Sequence, residues 1–269
     1  MSALQHNESS RFQTSLKGWR KQRKMSQLDL ALAAEVSQRH VSWLETGRSK
    51  PSRDMVVKLA EALDVPFRDR NAILNSAGFA SLYTERRLEE PEMQPVSNIL
   101  TEMLEHHEPY PAFVLDRHWN IKMKNQAAGV LFELLGDPEQ VWRDVGDNGE
   151  FNIALLSVHP NGLRRFISNW DDIAAPFLRR LKREALESGD PRLIEKLQLL
   201  LKVAGPIEDD LIEHDLFPVL PLEIDLGEFK LKLCSVISTF GTAQDITADE
   251  LRIETFYPAD EQTRRYFTE

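Results

Sequence analysis

Between Ser26 and Gly47 two short helical patterns are divided by the dipeptide Glu35-Val36, and few folds accept that arrangement. Ser26 and Ser37 each stand where a side-chain oxygen can cap a helix, and Gly47 can end one in the left-handed conformation. Ala31 must be small because the second helix of such a pair crosses closely over it, while Val36, Val41 and Leu44 bury that second helix against its partner. Further start signals at Pro51-Ser52 and Asp64-Val65-Pro66 extend the pattern. The stretch therefore predicts five helices, at about 12–24, 27–34, 37–45, 53–63 and 67–77. The fourth is the clearest, because Val56, Leu59, Ala60 and Leu63 repeat at the spacing of one buried helical face.

Packing of this kind leaves the outer face of the helix at 37–45 in solvent. Ser37, Gln38, Arg39 and Ser42 occupy its N-terminal turns, the part of a recognition helix that enters a DNA major groove. Gln can pair with adenine, Arg can pair in bidentate fashion with guanine, and serine can serve either role. Charge agrees with that use. Residues 1–87 hold 15 Lys/Arg against 9 Asp/Glu, while the rest holds 18 against 34, so a basic first third hides inside a total of −10. The first part suits a polyanion, and the acidic remainder repels one and limits indiscriminate adhesion to DNA.

Here the chain resembles the Xre/Cro-type family of helix-turn-helix regulators, over roughly residues 12–78. The resemblance rests on Leu16, Arg20, Ser26-Gln27-Leu28, Ala31, Val36-Ser37, Val41-Ser42, Leu44-Glu45-Thr46-Gly47 and Pro51-Ser52. It implies that Gln27 contacts the phosphate backbone, joined by Arg48 and Lys50 after the recognition helix. Glu35 departs from the family, which usually has Gly at that turn; a positive φ there costs a non-Gly residue about 1 kcal/mol. Trp43 is read as a packing residue, on the domain surface or against a dimer mate, rather than a base contact.

Residues 81–95 turn polar and charged, as in Thr84-Glu85-Arg86-Arg87 and Glu89-Glu90-Pro91-Glu92, and read as a linker between a DNA-binding domain at 10–80 and a second domain at 96–269. Pro111 to Leu115 and Trp119 to Met123 read as strands joined by a short turn. Helical patterns hold from about Ala127 to Lys202, and strand-like runs return at Val219 to Asp225, Glu228 to Phe240 and Glu250 to Tyr257. An α+β domain follows, its sheet closing late over an inserted helical block. Beyond residue 66 the chain resembles regulators whose C-terminal half is the MmyB-like (MltR-like) ligand-binding domain, a PAS-fold variant. The matching text includes Pro66-Phe67-Arg68-Asp69-Arg70-Asn71, His107-Glu108-Pro109-Tyr110-Pro111-Ala112, Asp116-Arg117, Asn169-Trp170 and Leu251 to Asp260. The resemblance implies a mixed or antiparallel sheet with helices packed on it and an apolar cavity that in some relatives holds a fatty-acid-like molecule. Phe113, Leu131, Leu135, Phe151, Phe166, Trp170, Phe177, Phe240 and Phe256 are candidates to line it, and each can equally be filled core. Trp170 and Phe177 fall seven apart on the amphipathic helix from Asp171 to Glu187, on one inward face, while Arg179, Arg180, Lys182 and Arg183 are expected to face out.

Other chemistries find little support. Cys234, the single cysteine, excludes an internal disulfide or a cysteine zinc site and reads as a buried small residue. His106-His107-Glu108 puts adjacent histidines on different faces, so a solvated helix end before Pro109 is the reading, and His159 reads as a capping or packing residue. Asp171-Asp172 reads as first-turn helix charge. Arg164-Arg165 can meet a ligand carboxylate but reads first as solvated. No phosphate loop or nucleophile elbow appears, so no enzyme, metal or obligatory cofactor is expected. With no apolar run near the roughly 18 to 20 residues a membrane span needs and a polar N-terminus, the expected location is the cytoplasm, away from membranes. The expected partners are a double-stranded DNA operator, a small apolar ligand and a second copy of the chain. A rival reading makes the second domain a dimerisation or protein-interaction module only.

Overall fold

The computed structural model describes the backbone of residues 2–10 and residues 11–146, 149–206, 218–227 and 229–269. Two compact units emerge, one of residues 1–86 with 242–249 and one of 87–241 with 250–269.

The first unit contains α1 (Ser2–Gln22), α2 (Gln27–Ala33), α3 (Gln38–Thr46), α4 (Arg53–Ala62) and α5 (Phe67–Ser76). Four of the five helices start within a residue or so of expectation. The exception is α1, which begins ten residues early, because nothing from Ser2 to Arg11 is a proline or glycine that would stop it. Capping explains the other starts. Ser26 accepts from the Asp29 amide while the Asp29 carboxylate accepts from the Ser26 amide, and Ser37 and Ser52 accept from the amides of His40 and Met55. Gly47 closes α3 at φ 75°, and Glu35 does adopt positive φ, at 48°. Leu16, Leu30, Val41, Leu44, Leu59 and Leu74 fill the core between these helices.

In the second unit α6 (Gln94–His106) precedes β1 (Ala112–Leu115) and β2 (Ile121–Lys124). The helical block then runs through α7 (Gln126–Glu133), α8 (Pro138–Val145), α9 (Ile153–Val158), α10 (Trp170–Ser188) and α11 (Pro191–Ala204). The chain closes with β3 (Leu222–Asp225), β4 (Lys230–Ser238), α12 (Ile246–Glu250), which groups almost wholly with the first unit, β5 (Arg252–Pro258) and α13 (Glu261–Thr268). Among the described residues these strands form one antiparallel sheet in the order β2-β1-β5-β4-β3. The expected start of the fourth strand, Glu228, lies outside the described residues. The second strand starts later than expected because Trp119 turns at φ 63° inside a loop whose Asp116 carboxylate accepts from the amides of His118 and Asn120.

β1 reads as continuous apolar sequence because both of its faces are covered. Phe113 and Leu115 point into the helical block, whereas Ala112 and Val114 pack with Leu100 and Leu104 of α6 and with Leu251 and Ile253. That arrangement puts a single layer of strands between two apolar clusters. Cys234 is half-buried on β4 rather than buried, since β4 is partly exposed on the face away from the block. His107 is not a solvated helix end: its Nε2 lies 2.8 Å from the Phe256 carbonyl and its ring sits edge-on to Tyr257, tying α6 to β5.

Candidate nucleic-acid interface and ligand cavity

Burial of Val41 and Leu44 turns the opposite face of α3 outward, and there Gln38 and Arg39 are exposed and Ser42 is half-buried. Ser37 spends one lone pair on the His40 amide but keeps its hydroxyl proton for a partner. The Arg39 guanidinium lies 4.3 Å from the centre of the Trp43 ring, a cation–π contact one helical turn along. Trp43 therefore orients the candidate base reader instead of anchoring the core. Arg48 and Lys50 are exposed beyond the end of α3.

Gln27 is positioned by a buried carboxylate. Glu45 accepts from Gln27 Nε2 at 2.8 Å and from Arg20 Nε and Nη2 at 2.6 and 2.9 Å, while Arg20 Nη1 donates to the Met25 carbonyl. Burial raises the Glu45 pKa, but the hydrogen bonds from Arg20 and Gln27 and the Arg20 charge outweigh it and hold it below the usual range. Arg20 and Glu45 thereby bolt α1 to α3 and fix the rotamer of a side chain at the mouth of α2. Glu35, at its strained position, carries an exposed ion pair to Lys58 at 3.1 Å, of small energetic weight.

In the second unit the sheet and the helical block do not fill the space between them. A cavity of about 440 Å³ remains. β1 supplies Phe113 and Leu115, β3 Leu222 and Ile224, β4 Leu233 and Ser235, and β5 Glu254 and Phe256. α7 contributes Leu131 and Phe132, with Leu135 just beyond it, and α10 contributes Trp170, Ile173, Phe177, Arg180 and Leu181. Six of the nine aromatic and aliphatic candidates thus line that cavity: Phe113, Leu131, Leu135, Trp170, Phe177 and Phe256. The other three do not. Phe240 packs behind the sheet with the cluster of Leu100 and Val114, Phe166 packs at the block's edge beneath Arg165, and Phe151 is half-exposed against Trp142. Large apolar residues beside a turn look alike in sequence wherever the turn sends them.

The cationic residues also change places. Arg164, half-buried, and Arg165, exposed, donate to the carbonyls of Ala204 and Leu135 at 2.9 and 2.6 Å, at the ends of helices. Arg180, expected to face outward, lines the cavity instead. Its position three residues after Phe177 was the available signal, as was the period-two spacing that puts Glu254 on the face of Phe256. His159 accepts from the Asn161 amide at 3.1 Å in a turn, and burial lowers its pKa. No group of three or more His, Cys, Asp or Glu among the described residues could hold a metal, and no described helix is long and apolar enough to cross a membrane.

Comparison with known proteins finds a family match in each half of the chain. A helix-turn-helix family matches residues 16–69, and the family of the MmyB-like transcription regulator ligand binding domain matches residues 96–269. No curated protein matches the chain. Neither family is one of enzymes. With a helix-turn-helix ahead of a matched domain that covers more than half its length, the chain belongs to the MmyB-like transcription regulators, DNA-binding proteins that carry a ligand-binding domain.

Proposed function

We propose that this protein reads a specific operator through α3 and changes its occupancy when a small, largely apolar, fatty-acid-like ligand enters the cavity of its second unit. The observation that carries the reading is that cavity, walled by Phe113, Phe132, Trp170, Phe177 and Phe256 in a domain where tight packing is the rule. The strand order 2-1-5-4-3 supports a PAS-like description of the sheet. A buried alkyl chain gains about 0.8 kcal/mol per methylene, enough for a medium-length chain to survive purification. Gln38, Arg39, Ser37 and Ser42 are the base-facing set, and Gln27, Arg48 and Lys50 hold phosphates. Division of labour follows the chain: residues 10–80 bind DNA, 81–95 link, and 96–269 sense, apart from residues 242–249, which group with the first unit, in a protein that works beside the chromosome in the cytoplasm.

Two copies act together. One recognition helix covers only a few base pairs, so discrimination against genomic competitors calls for two half-sites about one helical turn apart. Native mass spectrometry of freshly purified protein tests the sensing half directly. A retained mass of lipid size supports it, and a clean unliganded mass that stays so after incubation with medium-chain lipids leaves the dimerisation-module reading in its place.

A further inference from the structure

The cavity has one polar corner. Glu254 lies on its wall, only 7% exposed, with Ser235 of the neighbouring strand, and Arg180 reaches it from α10 with Nη1 3.7 Å from Glu254 Oε1. On its other side Arg180 Nε is 3.7 Å from Glu184 Oε1, and Glu184 Oε2 takes the Trp119 indole N–H at 2.8 Å. Both ion-pair distances exceed hydrogen-bond length, and Nε, shielded from solvent, has no hydrogen-bond partner among the described residues. A half-buried guanidinium whose shielded Nε has no partner, held this loosely between two carboxyls, is short of an acceptor.

We propose that Arg180, Glu254 and Ser235 form a head-group subsite that receives a carboxylic acid, the ligand's carboxyl pairing with Arg180 while one proton is shared between it and Glu254. The proposal rests on the reading of the cavity as a ligand site. Its logic is electrostatic. Two carboxylates side by side in an apolar pocket cannot both stay ionised, so one proton must stay with the pair. Burial already drives Glu254 toward its neutral form, against the opposing pull of Arg180 and Ser235 and with the reinforcement of Glu184. Arg180 and Glu254 are the charged residues among those lining the cavity. β1 sets uncharged Phe113 and β4 uncharged Ile237 opposite Glu254 in register, and Arg264 and Arg265 of α13, which packs on the same strand, lie against Glu261. An amine head would meet the guanidinium as a like charge, and an alcohol would leave the guanidinium without its second acceptor.

Calorimetric titration of the full-length protein with straight-chain carboxylic acids from octanoic to tetradecanoic, and with the matching primary alcohols, tests this. The acids are expected to bind more tightly than the alcohols, and to weaken as pH rises, by up to about tenfold per pH unit with about one proton taken up per ligand over that range. Glu254→Gln is expected to keep acid binding and lose its pH dependence. Arg180→Met is expected to abolish the preference for acid over alcohol while alcohol binding persists. Equal affinity for acid and alcohol in the wild type, or pH dependence that survives Glu254→Gln, overturns the subsite and leaves the apolar cavity standing. Failure of every acid and alcohol to bind overturns the cavity reading itself, and the subsite with it.

Discussion

Arg39 and Trp43 make the exposed face of α3 partly self-organised, since the guanidinium is already stacked on the indole. Arg39→Ala is expected to cost roughly 1–3 kcal/mol at the operator and to relax base preference, whereas Lys50→Ala weakens all sequences alike and flattens the salt dependence. Fluorescence anisotropy across an operator library checks both, and unchanged affinity and preference in Arg39→Ala removes α3 from the major groove. Glu45 carries the stability argument at this scale. Its truncation to Ala leaves Arg20 buried without its carboxylate and is expected to cost about 3 kcal/mol, read as a lowered denaturation midpoint of the first unit. Because Glu45 is held below the usual range, its contribution is complete above that range and is lost as pH falls through the folded-state value. Asp190 adds in the same direction: burial raises its pKa, but the Arg192 amide, His118 and Arg117 together lower it. Glu254 acts oppositely. Raised by burial above its ordinary 4.5, it penalises the folded state increasingly as pH climbs from there to the folded-state value, so Glu254→Gln should stabilise the protein at neutral and alkaline pH relative to wild type, measured by thermal unfolding.

Among the elements, α10 decides most about the cavity, because it carries Trp170, Phe177 and Arg180 across the open side of the sheet. Phe177→Trp is expected to occupy part of that space, weakening uptake of a fluorescent alkyl probe while unfolding shifts by no more than about 1–3 kcal/mol. Undiminished uptake would place the probe elsewhere. The turn between α9 and the residues leading into α10 depends on Gly162, where an added Cβ would run into the backbone carbonyl of Leu156. Neither backbone can give way without displacing Leu163 and Ile167 from the wall, so Gly162→Ala is expected to lower the melting temperature and the probe affinity together. A variant that loses neither would mean the turn is softer than its geometry suggests.

At the scale of the molecule the charge division should govern DNA binding. Residues 1–87, whose apolar core among the described residues runs from Phe12 to Phe79, are expected to bind DNA alone, less tightly for want of a second copy. Residues 91–269 should not bind at all, and operator shifts by that acidic fragment in a gel would reverse the assignment. The short fragment also loses a local tie. Asp245, from the stretch between β4 and β5, accepts from Thr84 Oγ1 at 2.9 Å and pairs with Arg86 at 3.0 Å within the first unit. The chain that connects β4 and β5, residues 242–249, groups with the first unit.

The sequence by itself determined α2 to α5 of the first unit almost completely, because the signals that set them are local. A serine before a helix, a glycine after one and a small residue at a crossing act within a turn or two of themselves, and α2 to α5 emerge within a residue or so of where those signals stand. The approximate positions of β1, β4 and β5 were legible for the same reason. Less local features were not. α13 announces itself only by Asp260, which caps it through the Thr263 amide, and α6 starts among polar residues that read as linker. Which aromatics face the cavity, which arginine stands in it and which are spent on carbonyls were decided by how α10 crosses the sheet. Helix and strand periodicity give each side chain a face, but only packing between elements far apart in the chain says whether that face meets core, cavity or solvent.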